Sequence, residues 1–217
     1  PPMNTRADST KPRSIAPVSI VVLTLLALVA AACGGGDEPE PFAGFQRTPT
    51  PVVDERPLPA IEADGAEEPF TFRADDGGLL LVYFGYTSCP DVCPTTLSDL
   101  RRAADAIGDD AERLDVAMIT IDPEVDTPEV LTGYVRSFVP DATAIRTTDD
   151  SALRPVADAF GADYGTLEQN GEEQVFHTGS LYAVDDAGQL VLTWPFGVTS
   201  EDLERDLARL LDGVTPA

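Results

Sequence analysis

Lysine, histidine and cysteine are scarce in this sequence. Its 217 residues contain one lysine (Lys11), one histidine (His177) and three cysteines, and the formal net charge is -24. A surface this acidic would repel phosphates, which argues against a nucleic-acid partner and is typical of a solvated acidic coat. Three cysteines are too few for a disulfide scaffold. They separate into Cys33, near the start, and the close pair Cys89 and Cys93.

The first 33 residues resemble a secretion signal. Basic residues precede Ile15 to Ala32, a stretch without charge, and small residues lead from there into Cys33. This ending resembles a bacterial lipoprotein box, so residues 1–33 are predicted to be a signal after which a lipidated Cys33 anchors the chain. An uncleaved transmembrane helix is the alternative. Both place the remainder at the outer face of the cytoplasmic membrane.

Residues 34–68 are predicted to be a disordered tether, because they are rich in Gly, Pro, Asp and Glu and show no apolar period. Residues 69–217 are predicted to be the folded domain, with strands and helices that alternate and then close in a hairpin and a helix. The expected fold is α/β and thioredoxin-like, a central mixed sheet flanked by helices. The predicted elements are strands at 70–73, 79–85, 116–121, 144–147, 181–184 and 190–194, and helices from 94, from 128, through 160 and around 203–211.

Two cysteines lie on the predicted turn between the central strand and the first helix. The strand breaks at Gly85, and Pro94 predicts the helix start because its missing amide needs no partner there. Cys89 and Cys93, four positions apart, bring their sulfurs to one face, close enough to share a metal or to bond to each other. Two thiolates favour Cu(I) or zinc over magnesium or calcium. The helix amino terminus is expected to lower the pKa of Cys93.

His177 is the histidine that could supply a third ligand. It follows a polar loop at 169–171, which in a thioredoxin-like sheet faces the thiol turn. Taken alone, a single histidine is more often a hydrogen-bonded structural residue than a ligand, and Cys89 and Cys93 could instead form a structural disulfide. Asp122 and Asp126 are predicted to be loop caps rather than ligands, and Met118 a core residue.

Three stretches together resemble the Sco/SenC family, thioredoxin-fold copper proteins of cytochrome oxidase assembly. They are Phe84 to Pro94 (Phe-Gly-Tyr-Thr-Ser-Cys-Pro-Asp-Val-Cys-Pro), Asp122 to Pro128, and the region of His177. The resemblance implies that Cys89, Cys93 and His177 bind copper, as Cu(I) or Cu(II). It also implies delivery of copper to the binuclear CuA site of cytochrome c oxidase, so the subunit with that site is the expected partner.

Two positions depart from the family pattern. Phe176 stands where the family usually has an aspartate, and Val125 where it commonly has an arginine. Because such neighbours orient a metal-bound imidazole, they bear on copper affinity.

Two other functions stay open. A thiol-disulfide reductase that maintains the oxidase's copper-site cysteines would use Cys89 and Cys93 as a redox pair without metal. A peroxidase would need an activating arginine or Gln/Trp arrangement near Cys89, whereas Trp194 is expected in the core.

Overall fold

A mixed seven-stranded sheet with helices on both faces forms the centre of the protein in a computed structural model that describes residues 40–169 and 171–216. The sheet order is β2-β1-β5-β4-β3-β8-β9, and β6 and β7 form a separate hairpin. The strands are β1 Leu58–Ile61, β2 Glu67–Phe70, β3 Leu79–Gly85, β4 Leu114–Thr120, β5 Thr143–Ile145, β6 Tyr164–Gln169, β7 Glu172–His177, β8 Leu181–Val184 and β9 Leu190–Trp194. The helices are α1 Val92–Ala106, α2 Pro128–Phe138, α3 Asp150–Phe160 and α4 Ser200–Leu211, with a 3-10 helix at Gly108–Arg113.

Strand β3 is the central strand that the apolar run predicts. It pairs in parallel with β4 and antiparallel with β8, and every one of its residues is buried. Successive side chains of a strand point to opposite faces, so β3 contributes to two cores. Leu79, Leu81 and Tyr83 pack on the face covered by α1, α2 and α4. The alternate residues pack on the face covered by α3.

Helix α1 begins at Val92, two residues before the position predicted from Pro94. Pro94 lies in the first helical turn, where the backbone amides have no intrahelical acceptor and a missing N–H therefore costs nothing. The consequence for the site is that Cys93 belongs to the helix while Cys89 lies in the turn before it. The other predicted helices are confirmed, with Thr127, Asp149 and Thr199 as side-chain caps.

The fold begins well before the predicted boundary at residue 69. Phe45 and Val52 form bridges with β9 and with the turn that precedes it, and Leu58 and Ile61 of β1 are buried in the sheet. The prediction that residues 34–68 are a disordered tether is therefore wrong from residue 42 onward, where the compact unit begins. The strand predicted at 70–73 lies instead at 67–70. These segments escape sequence reasoning because they are short and interrupted by proline and acidic residues.

The amino-terminal signal, the anchor and Cys33 lie outside the described residues. Within the part that is described, no helix has both the length and the apolar composition needed to span a bilayer.

Candidate metal centre

The two thiols lie together on the turn between β3 and α1. Cys93 is completely buried and Cys89 is 8% exposed, and neither forms a disulfide. The backbone N–H of Cys93 donates a hydrogen bond to Cys89 Sγ at 3.3 Å, so the start of the helix fixes the spacing of the two residues. Cys89 is consequently the sulfur nearer to solvent, and Cys93 lies beneath it against the sheet.

Gly85, the last residue of β3, allows the Cys93 sulfur to approach the strand. A Cβ atom at this position would lie 3.0 Å from Cys93 Sγ and 2.7 Å from the ring of Tyr83. Any larger side chain would therefore displace the buried thiol. The glycine that ends the apolar run in the sequence is explained by this close contact.

His177 brings a third possible donor atom close to the two thiols. Its Nε2 lies 3.5 Å from Cys93 Sγ and 4.0 Å from Cys89 Sγ. The possible ligand atoms of the three residues all lie within 4.8 Å of one another, and no other such group of histidine, cysteine or carboxylate side chains occurs in the described ranges. The structure thus brings together the three residues that the sequence singles out.

The imidazole ring is held so that Nε2 faces the sulfurs. Nδ1 donates to the carbonyl oxygen of Thr178 at 3.2 Å, which assigns the proton to Nδ1 and leaves the Nε2 lone pair free. The rings of Tyr83 and Tyr86 contact the imidazole edge to face, with centroids 6.0 and 5.7 Å away. Burial lowers the pKa of His177, which favours the neutral form that binds metals.

A hairpin that the sequence reasoning does not predict carries His177 to this place. The histidine is the last residue of β7 and pairs with Tyr164, the first residue of β6. It therefore lies at the end of a strand, beyond the polar stretch at 169–171. Asn170-Gly171 between the two strands is the strongest two-residue hairpin signal in a sequence and could have revealed the pair.

The pKa prediction for Cys93 is wrong. Burial raises the pKa of the Cys93 thiol to about 12, although the residue lies in the first turn of α1. The loss of hydration of a thiolate in the core outweighs the favourable field of the helix end. A bound cation reverses this balance, because a coordinating thiol is deprotonated outright. Metal binding at this site is therefore coupled to the release of a proton from Cys93.

The carboxyl group of Asp126 stabilises the turn that carries the thiols. Its carboxyl group is completely buried and accepts hydrogen bonds from the backbone N–H of Thr87, at 3.1 Å, and from the hydroxyls of Thr87 and Thr120. It is not a member of the ligand group, in line with the prediction that it has a loop role. Because Thr87 is two residues before Cys89, Asp126 positions the turn that carries the first thiol.

The two departures from the family pattern have different surroundings. Phe176 packs its ring against Gly165 of the neighbouring strand, and Val125 is 53% exposed. Besides the two sulfurs, the imidazole in this chain contacts the Thr178 carbonyl and two tyrosine rings. As predicted, Met118 and Trp194 are buried in the core.

The fold and the ligand chemistry define a class of protein. Two thiols and a neutral imidazole converge at a strand-to-helix turn of a thioredoxin-like α/β domain, which is a donor set for soft or borderline metal ions. The chain belongs to the SCO1/SenC family, whose model matches residues 62–212.

Relatives and solved structures agree with this assignment. An SCO2-like protein of Rickettsia prowazekii is 29% identical over 150 residues, which cover 68% of this chain and 72% of the relative. The copper-bound structure of ScoI from Bradyrhizobium japonicum matches with a TM-score of 0.57 at 29% identity, over 70% of this chain and 96% of that one. The apo Sco1 protein of Thermus thermophilus matches with a TM-score of 0.60 at 30% identity, over 82% and 97% of the two chains.

Proposed function

We propose that this protein is a copper chaperone that holds one copper ion through Cys89, Cys93 and His177 and delivers it to the CuA site of cytochrome c oxidase. The observation that carries the proposal is the convergence of the two sulfurs and the free Nε2 atom within 4.8 Å. Copper is cargo in this account. The protein binds it, protects it and gives it up to a partner.

The donor set suits copper better than a structural zinc ion. Structural zinc sites are almost always closed by four protein ligands, whereas this group contains three in the described part of the chain. Thiolates are preferred by Cu(I), and imidazole also suits Cu(II), so one site can hold both oxidation states. The copper-bound ScoI structure, to which this chain is similar, supports the same choice.

Release would proceed by ligand exchange at the exposed side of the site. Cys89 is slightly exposed and His177 half-buried, whereas Cys93 is fully buried. A cysteine thiolate of the acceptor would therefore replace Cys89 or His177 first and Cys93 last. Each step forms one copper–ligand bond and breaks another, and the oxidation state of copper does not change.

Lipidation of Cys33 would place this chemistry near its acceptor. We expect a mature protein anchored at the outer face of the cytoplasmic membrane, because small residues precede the cysteine and an uncharged stretch precedes them. The CuA-bearing subunit is the proposed acceptor.

Copper analysis of the purified chain tests the proposal. The reduced protein should bind one copper ion and pass it to an apo CuA domain, and the chain oxidised to a Cys89–Cys93 disulfide should bind none. Cys89→Ser and Cys93→Ser each replace a charged soft ligand with a neutral hard one and should abolish tight binding. Equal copper uptake by the oxidised and reduced chains would contradict the proposal.

A thiol-disulfide reductase is the second candidate, and the free thiols favour it. The Cys89 thiolate would attack a partner disulfide, and Cys93 would then displace the partner from the mixed disulfide. The products would be a Cys89–Cys93 disulfide and two partner thiols. Such a reductase needs no imidazole, so His177→Ala should leave its rate unchanged, whereas the same variant should impair a copper chaperone.

A further inference from the structure

Tyr83 carries a buried hydroxyl group without a hydrogen-bond partner. The residue is completely buried in the middle of the core, and its Oη atom makes no hydrogen bond of normal geometry with the described residues, although the Cys93 thiol and the Thr96 hydroxyl lie beside it. An unsatisfied buried polar group destabilises the folded state, so its presence calls for a physical reason. Phenylalanine would fill the same space without that cost.

The hydroxyl lies beside the buried thiol. Tyr83 points to the face of β3 covered by α1, and its polar neighbours there include the Cys93 thiol and the Thr96 hydroxyl, both in the first turns of the helix. The edge of its ring and Cys93 Sγ both approach the point where a Gly85 side chain would begin, at 2.7 and 3.0 Å. The same ring contacts the imidazole of His177 edge to face. Tyr83 thus contacts the site from the interior side.

We propose that Tyr83 is a positioning residue of the metal centre, whose hydroxyl donates a hydrogen bond to the Cys93 thiolate when a metal ion is bound. This inference rests on the proposed function, because it requires the thiolate that the metal creates. A protonated thiol is a weak acceptor, and a thiolate is a strong one. Metal binding therefore sends the Cys93 proton to solvent and gives the Tyr83 hydroxyl its partner.

Among the described residues, two other tyrosines have buried hydroxyl groups without a hydrogen-bond partner, and neither fits this role. Tyr134 of α2 is only half-buried, and no hydrogen bond joins its hydroxyl to either cysteine. Tyr182 of β8 packs on the opposite face of the sheet, against Phe84 and Phe160. Tyr182 is a matched control, since it has the same chemical group, burial and lack of a partner without the thiol.

The hydrogen bond would shift the reduction potential of the bound metal as well as position its Cys93 ligand. Hydrogen bonds to a coordinating sulfur withdraw electron density from it and favour the reduced state of the metal. Loss of the Tyr83 hydroxyl should therefore weaken binding of Cu(I) more than that of Cu(II). It should also lower the reduction potential and move the sulfur-to-Cu(II) charge-transfer band to lower energy.

The test compares Tyr83→Phe, Tyr182→Phe and the wild-type chain, each with Cu(I) in competition with a chelator and with Cu(II) by absorption. Tyr83→Phe should keep one copper ion per chain but bind Cu(I) about tenfold more weakly, as expected when a hydrogen bond to a charged group is lost. Its copper-free form should be as resistant to urea as the wild type or more so, because the hydroxyl has no partner there. Tyr182→Phe should bind copper as the wild type does.

The outcomes separate this inference from the proposed function. A wild-type chain that binds no copper would overturn both. Normal binding by the wild type, with an unchanged Cu(I) affinity and Cu(II) spectrum in Tyr83→Phe, would overturn the inference alone. An equal loss of affinity in Tyr182→Phe would also overturn it, because the effect would then come from core packing and not from the thiolate.

Discussion

At the scale of single residues, the imidazole of His177 is the part of the site that distinguishes the two oxidation states. Two thiolates suffice for Cu(I) in a linear arrangement, whereas Cu(II) prefers additional nitrogen ligands. His177→Ala should therefore weaken Cu(II) binding by more than about 100-fold, beyond the 10–100-fold typical of lost outer contacts, and Cu(I) binding much less. Competition titrations in both oxidation states measure this. Gln174→Ala, at an exposed position of the same strand, is the control. Equal losses in both oxidation states would contradict the assigned role.

The buried position of His177 also makes the stability of the copper-free protein depend on pH. Burial lowers the pKa of the ring from its usual 6.5, so the unfolded chain takes up a proton at a higher pH than the folded chain. The unfolded state thus binds more protons in this window, and the free energy of unfolding falls as the pH drops below about 6.5. Urea unfolding with a metal chelator present, compared with His177→Gln, isolates the effect. The free energy of unfolding of the wild type, relative to that of His177→Gln, should fall as the pH drops below about 6.5. A pH-independent difference would show that the folded state does not disfavour the charged ring.

At the scale of elements, helix α4 attaches the amino-terminal segment to the domain through one carboxyl group. Asp206 Oδ2 accepts hydrogen bonds from the backbone N–H groups of Ala43 and Gly44, at 2.8 and 3.1 Å, and from Trp194 Nε1 at 2.9 Å. The side chain is completely buried, and Arg205 forms an ion pair with it. One residue thus links the start of the fold, strand β9 and the last helix.

Removal of the Asp206 carboxyl group should lower the free energy of unfolding. Asp206→Ala leaves three donors without an acceptor and should lower the free energy of unfolding by about 3–5 kcal/mol. Asp206→Asn keeps a carbonyl oxygen that can still accept and should cost less. Denaturant unfolding of both variants tests this, with the half-exposed Glu204→Ala on the same helix as the control. Similar stability of Asp206→Ala and Glu204→Ala would mean that the segment is held by other contacts.

Helix α1 and strand β3 were predictable because their residues carry strong local signals. The apolar run from Leu79 indicates a strand buried on both faces, and proline with apolar residues at helical spacing indicates the helix. The exact start at Val92 was not predictable, since proline is tolerated throughout the first helical turn. The burial of Cys93, which reverses the direction of its pKa shift, depends on packing between distant elements.

At the scale of the whole molecule, the family resemblance predicted the grouping of the three donor residues better than local patterns did. Strand β1 has four residues and one of them is Pro59, so its burial follows from the rest of the sheet and not from its own sequence. The β6–β7 hairpin, which positions His177, lies apart from the main sheet and carries one clear signal, Asn170-Gly171. Proximity of residues so far apart in the chain cannot be obtained from spacing alone.

The proposed anchor is also a property of the whole molecule. Lipidation at Cys33 predicts that the mature chain begins there and fractionates with membranes. Cys33→Ser should release or mislocalise the domain and leave copper binding in solution unchanged, because all three proposed ligands lie in the compact unit at residues 42–217. Mass spectrometry of the membrane fraction measures where the mature chain begins and whether Cys33 carries a lipid. An intact Ile15 to Ala32 segment there would instead indicate a transmembrane anchor.

X-ray absorption at the copper edge, on the wild-type chain loaded with one equivalent of copper, tests whether Cys89, Cys93 and His177 hold the metal together. We expect one copper ion per chain, with sulfur and imidazole nitrogen neighbours in the Cu(II) form and two sulfur neighbours in the Cu(I) form. His177→Ala should remove the nitrogen contribution from the Cu(II) spectrum. A Cu(II) spectrum with sulfur neighbours only, unchanged by that substitution, would exclude His177 from the site and contradict the account.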